Sequence, residues 1–225
     1  MALFDGKFYD FYTHPAPGNG VALMAAVAKK YGYSGIAVTN PTANDQDIVD
    51  IADKTGDFSI FQVFEIPAKR AKLRDEIKKH KEDAGILIVK GADEYLTREA
   101  VETEGLDILL QPQKFNNVLA KIASDNSVTL GFNIGSIIHT RGEARVRELV
   151  LMRANLKHAR KYGIQMILTC DSHSHYDIRS PREMAALSGL IGMTEKEAFD
   201  AMSTTPLGIL RKKSPDYVQE GIEIL

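Results

Sequence analysis

The feature that most constrains this chain is an alternation. Short apolar runs rich in Val, Ile and Phe recur along it, separated by amphipathic stretches of roughly ten or more residues. Strands pairing in parallel need a crossover long enough for a helix, so the pattern predicts βα units and a parallel sheet. Strands are expected near Lys7–Tyr12, Gly35–Thr39, Phe58–Phe64, Gly85–Val89, Asp107–Leu110, Thr129–Phe132 and Ile164–Thr169. An eighth is expected at Gly221–Leu225, although two helical patterns precede it. The 225 residues suit one α/β domain covering 1–225, a TIM-barrel-like (β/α) barrel of seven or eight strands.

Helix signals are clearest late in the chain. Ser180-Pro181-Arg182-Glu183 offers an N-cap serine, a first-turn proline and a capping-box glutamate, with a helix to about Leu190. Thr194-Glu195-Lys196-Glu197 repeats the logic, and Thr204-Thr205-Pro206 is expected to end that second helix. The longest helix is expected over Glu143–Tyr162, with Val146, Leu149, Val150, Leu156 and Ala159 near one face and Arg153, Lys157, Arg160 and Lys161 near another. No internal repeat or linker interrupts the pattern.

Composition excludes several classes. With 44% hydrophobic and 26% charged residues and no long apolar window, neither disorder nor a membrane span is expected. The first residues lack the basic and apolar regions of a secretory signal, and one cysteine, Cys170, cannot form an internal disulfide; a cytoplasmic protein is expected. The net charge of -2 hides a strong asymmetry. Residues 67–81 and 141–161 each carry seven Lys or Arg against two acids, so each is +5 and the remainder is -12. One anion-binding face would explain this, and so would two solvated helix faces.

In parallel α/β folds the ligand site lies at the C-terminal strand ends. Six of the seven predicted ends are followed by polar residues: His14, Asn40, Glu65, Gln111, Asn133, and Asp171 with His173. One such residue is ordinarily a cap or loop hydrogen bond; six predict a polar pocket. His14, Glu65, Asp171 and His173 could together ligate a divalent ion, since imidazole and carboxylate suit zinc or manganese. His139 on a loop and His158 on a helix read as structural, His80 belongs to a charge run, and Cys170 reads as a small core residue.

Asp10-Phe11-Tyr12-Thr13-His14-Pro15 and Asp171-Ser172-His173-Ser174-His175 form a pair that resembles the archaeal and eukaryal ribonuclease P protein component 3 family. Further similarity lies in Gly131-Phe132-Asn133-Ile134, in Arg147 through Tyr162, in Asp177-Ile178-Arg179-Ser180-Pro181-Arg182 and in Ser203-Thr204-Thr205-Pro206. The resemblance covers nearly the whole chain. It implies a barrel-shaped protein subunit of the ribonucleoprotein that removes the 5′ leader of precursor tRNA. The RNA subunit does the chemistry with Mg²⁺, and no cofactor is expected on the chain itself. Implied partners are the ribonuclease P RNA, precursor tRNA, and other protein subunits including one small direct partner.

Lys69, Arg70, Lys72, Arg74, Arg153, Lys157, Arg160, Arg179 and Arg182 are then the candidate RNA contacts, because Lys and Arg bind phosphates without reading sequence. Arg179 and Arg182 also flank a helix N-terminus suited to anions. The family is distantly similar to polymerase-and-histidinol-phosphatase-type metal hydrolases, whose site begins with two histidines one residue apart. Tyr12 stands at the first of those positions and Gln111 where a middle-strand histidine is implied. With neither able to replace a histidine, a vestigial pocket of Tyr12, His14, Glu65, Gln111, Asn133, Asp171 and His173, without a catalytic metal, is the favoured reading. The competing readings are a stand-alone metal-dependent phosphoesterase using His14, Glu65, Asp171 and His173, and an unrelated barrel whose cationic segments are merely solvated.

Overall fold

A computed structural model describes residues 6–17, 20–40, 57–67, 72–81, 85–91, 93–213, 217–219 and 222–223. Seven parallel strands form one sheet in sequence order: β1 Tyr9–Thr13, β2 Gly35–Thr39, β3 Ser59–Glu65, β4 Ile86–Lys90, β5 Ile108–Leu110, β6 Thr129–Asn133 and β7 Met166–Thr169. All seven lie within two residues of the expected bounds. Between and after them stand helices α1 Gly20–Lys30, α2 Leu73–His80, α3 Glu94–Glu102, α4 Asn117–Asp125, α5 Ile134–His139, α6 Gly142–Tyr162, α7 Pro181–Ser188, α8 Glu195–Met202 and α9 Thr204–Lys212.

The period of two along the strands divides the core into two shells. Leu87, Val89 and Leu109 face outward into a large cluster with α1, α3, α4 and the later helices. Ile86, Ile88, Ile108, Leu110, Val63, Ile167 and Phe11 fill the interior of the barrel. Ile209 of α9 joins that inner cluster with Leu207 and Leu210 packed beside it, and Lys213 pairs at 2.8 Å with Asp107, just before β5. Helix α9 therefore covers the N-terminal mouth.

The first and last strands meet through one parallel bridge, Thr13 to Ser172, with the His14 amide donating to the Ser172 carbonyl at 2.7 Å. A buried carboxylate reinforces this seam. Asp10 accepts hydrogen bonds from the amides of Tyr12 and Cys170, both at 3.1 Å, and from the Thr169 hydroxyl at 2.5 Å. Its complete burial pushes the carboxyl up to about 6, despite those donors.

Three expectations need correction and one needs extending. The terminal strand is not an eighth barrel strand: β9 Ile222–Glu223 pairs antiparallel with β8 Tyr217–Gln219, because the sheet already closes β7 onto β1. Thr204-Thr205-Pro206 follows the end of α8 as expected, and it also opens α9, where a first-turn proline loses no helical hydrogen bond. In α6 Leu149, Leu156 and Ala159 face the core as expected, but Val146 and Val150 are exposed, because the buried stripe runs through Met152 and Asn155 while those two valines share the outer face with Arg153 and Lys157. His139 ends α5 instead of lying in a loop. Both capping boxes, at Ser180 and Thr194, form as expected.

Candidate functional site at the C-terminal mouth

The seam that closes the barrel also assembles the site. By tying Thr13 to Ser172, it sets His14 beside His173, and the two imidazoles stack with centroids 4.6 Å apart and planes 12° apart. Asp171 stands between the strand end and this stack, with His14 Nε2 at 3.1 Å and His173 Nε2 at 3.5 Å from Oδ1. Its other oxygen accepts from Asn133 Nδ2 at 2.7 Å and from Lys90 Nζ at 3.3 Å. Burial raises the Asp171 carboxyl, but His14 and Lys90 outweigh it and hold the group at about 2. Oδ1 is buried and faces the two imidazoles, and among the described residues no other donor reaches it.

The backbone is strained at the same end. Asn40, Gln111 and Asp171, following β2, β5 and β7, have φ of 44°, 46° and 50°. Asn and Asp tolerate that region, but Gln enters it at some cost. The approach of α5 is equally tight: a Cβ on Gly135 would lie 1.9 Å from the Cys170 carbonyl oxygen. Only glycine lets α5 sit against the Asp171 turn.

Amides brace the rest of the mouth. Gln111 Oε1 accepts from the Asn133 amide at 3.1 Å, while its Nε2 donates to Ser136 Oγ at 3.2 Å and to Glu148. Asn133 caps α5 through the Ser136 amide. Asn40 pins the Glu65 amide at 2.9 Å. Glu65 does not join the His14–Asp171–His173 cluster, because its carboxylate accepts the Tyr12 hydroxyl at 2.7 Å. Burial and then this bond raise the Tyr12 phenol above its ordinary value. Beside the cluster opens a pocket of about 430 Å³, lined by Lys90, Gln111, Asn133, Ser136, Glu148 and Asp171 among others. Its polar walls and salt-bridged Asp171 suit a small charged group better than an apolar ligand.

Two of these residues escaped the sequence reading for different reasons. Lys90 ends β4, the one strand end passed over, and the rule that named the other six would have named it. Glu148 descends from α6, so no strand-end pattern marks it. The expected RNA contacts lie elsewhere. Lys69 and Arg70 fall outside the described residues. Lys72 precedes α2 and Arg74 lies in it, where Arg74 NH2 reaches Glu102 at 2.9 Å. Arg153 donates to the Leu190 carbonyl at 2.9 Å. Arg160 grips Glu197 with two 2.7 Å bonds and the Gly192 carbonyl with another, and its hydrogen bonds hold Glu197 at about 2. Arg179 bonds the carbonyls of Tyr176 and Ile178, and Lys157 and Arg182 are exposed.

A nearly closed parallel barrel with a polar, histidine-bearing mouth places the chain among TIM-barrel-like proteins. A family model described as RNase P subunit p30 matches residues 7–215, and the chain belongs to that family. It is 37% identical to ribonuclease P protein component 3 of Methanosarcina mazei over 97% of this chain and 96% of that one. To the protein of the same name from Methanococcoides burtonii it is 39% identical, over 99% and 95%. Among solved structures, a chain of an archaeal ribonuclease P with mature tRNA aligns with a TM-score of 0.82 at 22% identity, covering 96% of this chain and 97% of that. A Xaa-Pro dipeptidase with bound methionine aligns at 0.66 and 10% identity, over 92% and 76%, a likeness of fold alone.

Proposed function

We infer that the chain is a protein subunit of ribonuclease P, supporting the catalytic RNA as the ribonucleoprotein removes the 5′ leader of precursor tRNA. The observation that carries this is the family match from residue 7 to 215, supported by relatives of the same name at 37–39% identity over nearly the full chain. Its partners in this reading are ribonuclease P RNA, precursor tRNA in the assembled enzyme, and other protein subunits, including one small direct partner. Mg²⁺ belongs to the RNA subunit, and the chain works in the cytoplasm. No described helix is long and apolar enough to cross a membrane.

The charge layout gives the RNA contact a physical basis. The 141–161 segment carries +5, mostly on helix α6, where Lys157 is exposed, and Arg182 is exposed in the first turn of α7. Such contacts position the protein on phosphates and release counterions. Arg153 and Arg160 already bond the chain itself, so phosphate there competes with Leu190 and Glu197. The test is association of the chain, with its partner subunits, with ribonuclease P RNA across a salt series. Affinity is expected to fall as salt rises, and Lys157→Ala with Arg182→Ala to weaken binding and flatten the slope by about one to two units in log–log form. Salt-independent association, or none, would overturn the reading.

A further inference from the structure

We propose that His14, Asp171 and His173 form a mononuclear binding site for a divalent ion of the zinc class, with one coordination position left open. The first observation is spacing. Zinc held at about 2.0–2.1 Å by nitrogen and oxygen places neighbouring ligands of a tetrahedron roughly 3.3 Å apart. The His14 and His173 nitrogens stand 3.1 and 3.5 Å from Asp171 Oδ1, and one donor atom from each of the three residues lies within 4.8 Å of the others.

The second observation is what each atom already does. Oδ1 is buried and faces only the two imidazole nitrogens, so its remaining acceptor capacity points into the space between them. Oδ2, in contrast, is held by Asn133 and Lys90, an arrangement that aims the first oxygen. Ligating carboxylates are commonly oriented in this way by their outer partners. Two nearly parallel imidazoles turn their Nε2 atoms toward one oxygen, which a shared cation explains more simply than two competing N–H donors.

Neither Glu65 nor Gln111 extends the set, since Tyr12 occupies the first and Ser136 and Glu148 the second. A single ion is therefore the limit. The adjoining pocket leaves room for an oxygen donor at the open position. Lys90 shares the same carboxylate and so weakens, without abolishing, the attraction for a second cation.

The isolated, tag-free chain suffices for the test, so its outcome does not depend on the ribonuclease P reading. After chelation and dialysis, zinc is titrated calorimetrically, and cobalt is added to read the visible absorption of a four-coordinate site. One equivalent is expected to bind, raising Tm by mass action. His173→Ala, whose side chain is 69% exposed, should fold normally and lose roughly tenfold or more in affinity. Lys90→Met should bind about fivefold tighter, a gain that a merely structural role for the cluster would not produce. His158→Ala, on α6 against Phe115, should bind as the parent does. Absence of a stoichiometric ion, or binding that survives in both His14→Ala and His173→Ala, would overturn the proposal.

Discussion

The two mouths of the barrel are built from opposite ends of the same seven strands, and they differ in every respect that matters to function. At the N-terminal mouth, α9 lays Leu207, Ile209 and Leu210 against the inner cluster, with Lys213 and Asp107 as a tether at the edge. At the C-terminal mouth no apolar cover is found among the described residues. Amides, histidines and carboxylates are held in a continuous network, with left-handed backbone at Asp171 and, at some cost, at Gln111. Burial explains the first mouth by itself. The second carries cost that burial does not repay, and such cost persists where a ligand or partner uses it.

The seam below the polar mouth should be the most sensitive place in the chain. Asp10→Ala strands three donors and is expected to lower stability by about 4 kcal/mol, seen as a lower denaturation midpoint. Its pH signature sharpens the point. Because the native carboxyl is raised to about 6, the folded state holds a proton the unfolded state has lost, so stability falls as pH rises from about 4 to 6 and levels off above. That slope should be missing in Asp10→Ala.

Next comes the apolar mouth. Ile209→Ala should cost about 3 kcal/mol through lost burial and a cavity, yet leave reconstituted processing intact at temperatures where the variant is folded. Loss of processing without loss of structure would erase the division between the mouths. Arg160→Ala, on the helical flank, should cost about 1 kcal/mol, since a bidentate pair at the surface is modest in water. His173→Ala should be smallest in stability, under about 0.5 kcal/mol by thermal denaturation, because its ring is mostly exposed.

Most of the barrel was legible because its strands, β3 apart, are largely buried on both faces and announce themselves as apolar runs. The register of β2, read as Gly35–Thr39, coincides with the observed strand. The failures have a common cause. Whether Gly221–Leu225 joins the barrel depends on closure between β7 and β1, made by Asp10, Thr169 and a single bridge, which leaves no periodic trace. The site shows the same split. Its strand-end members His14, Gln111, Asn133, Asp171 and His173 do meet at one mouth, since a parallel barrel places all such ends together. Glu65 turns instead to Tyr12, and Glu148 arrives from a helix; both depend on side-chain choices that spacing does not encode.

The most direct test of the account is cleavage of precursor tRNA by ribonuclease P RNA reconstituted with the other protein subunits, with and without this chain, across a Mg²⁺ series. With the chain present, cleavage should be faster and should reach its plateau at lower Mg²⁺. Identical rates and identical Mg²⁺ requirement in the two series would contradict it.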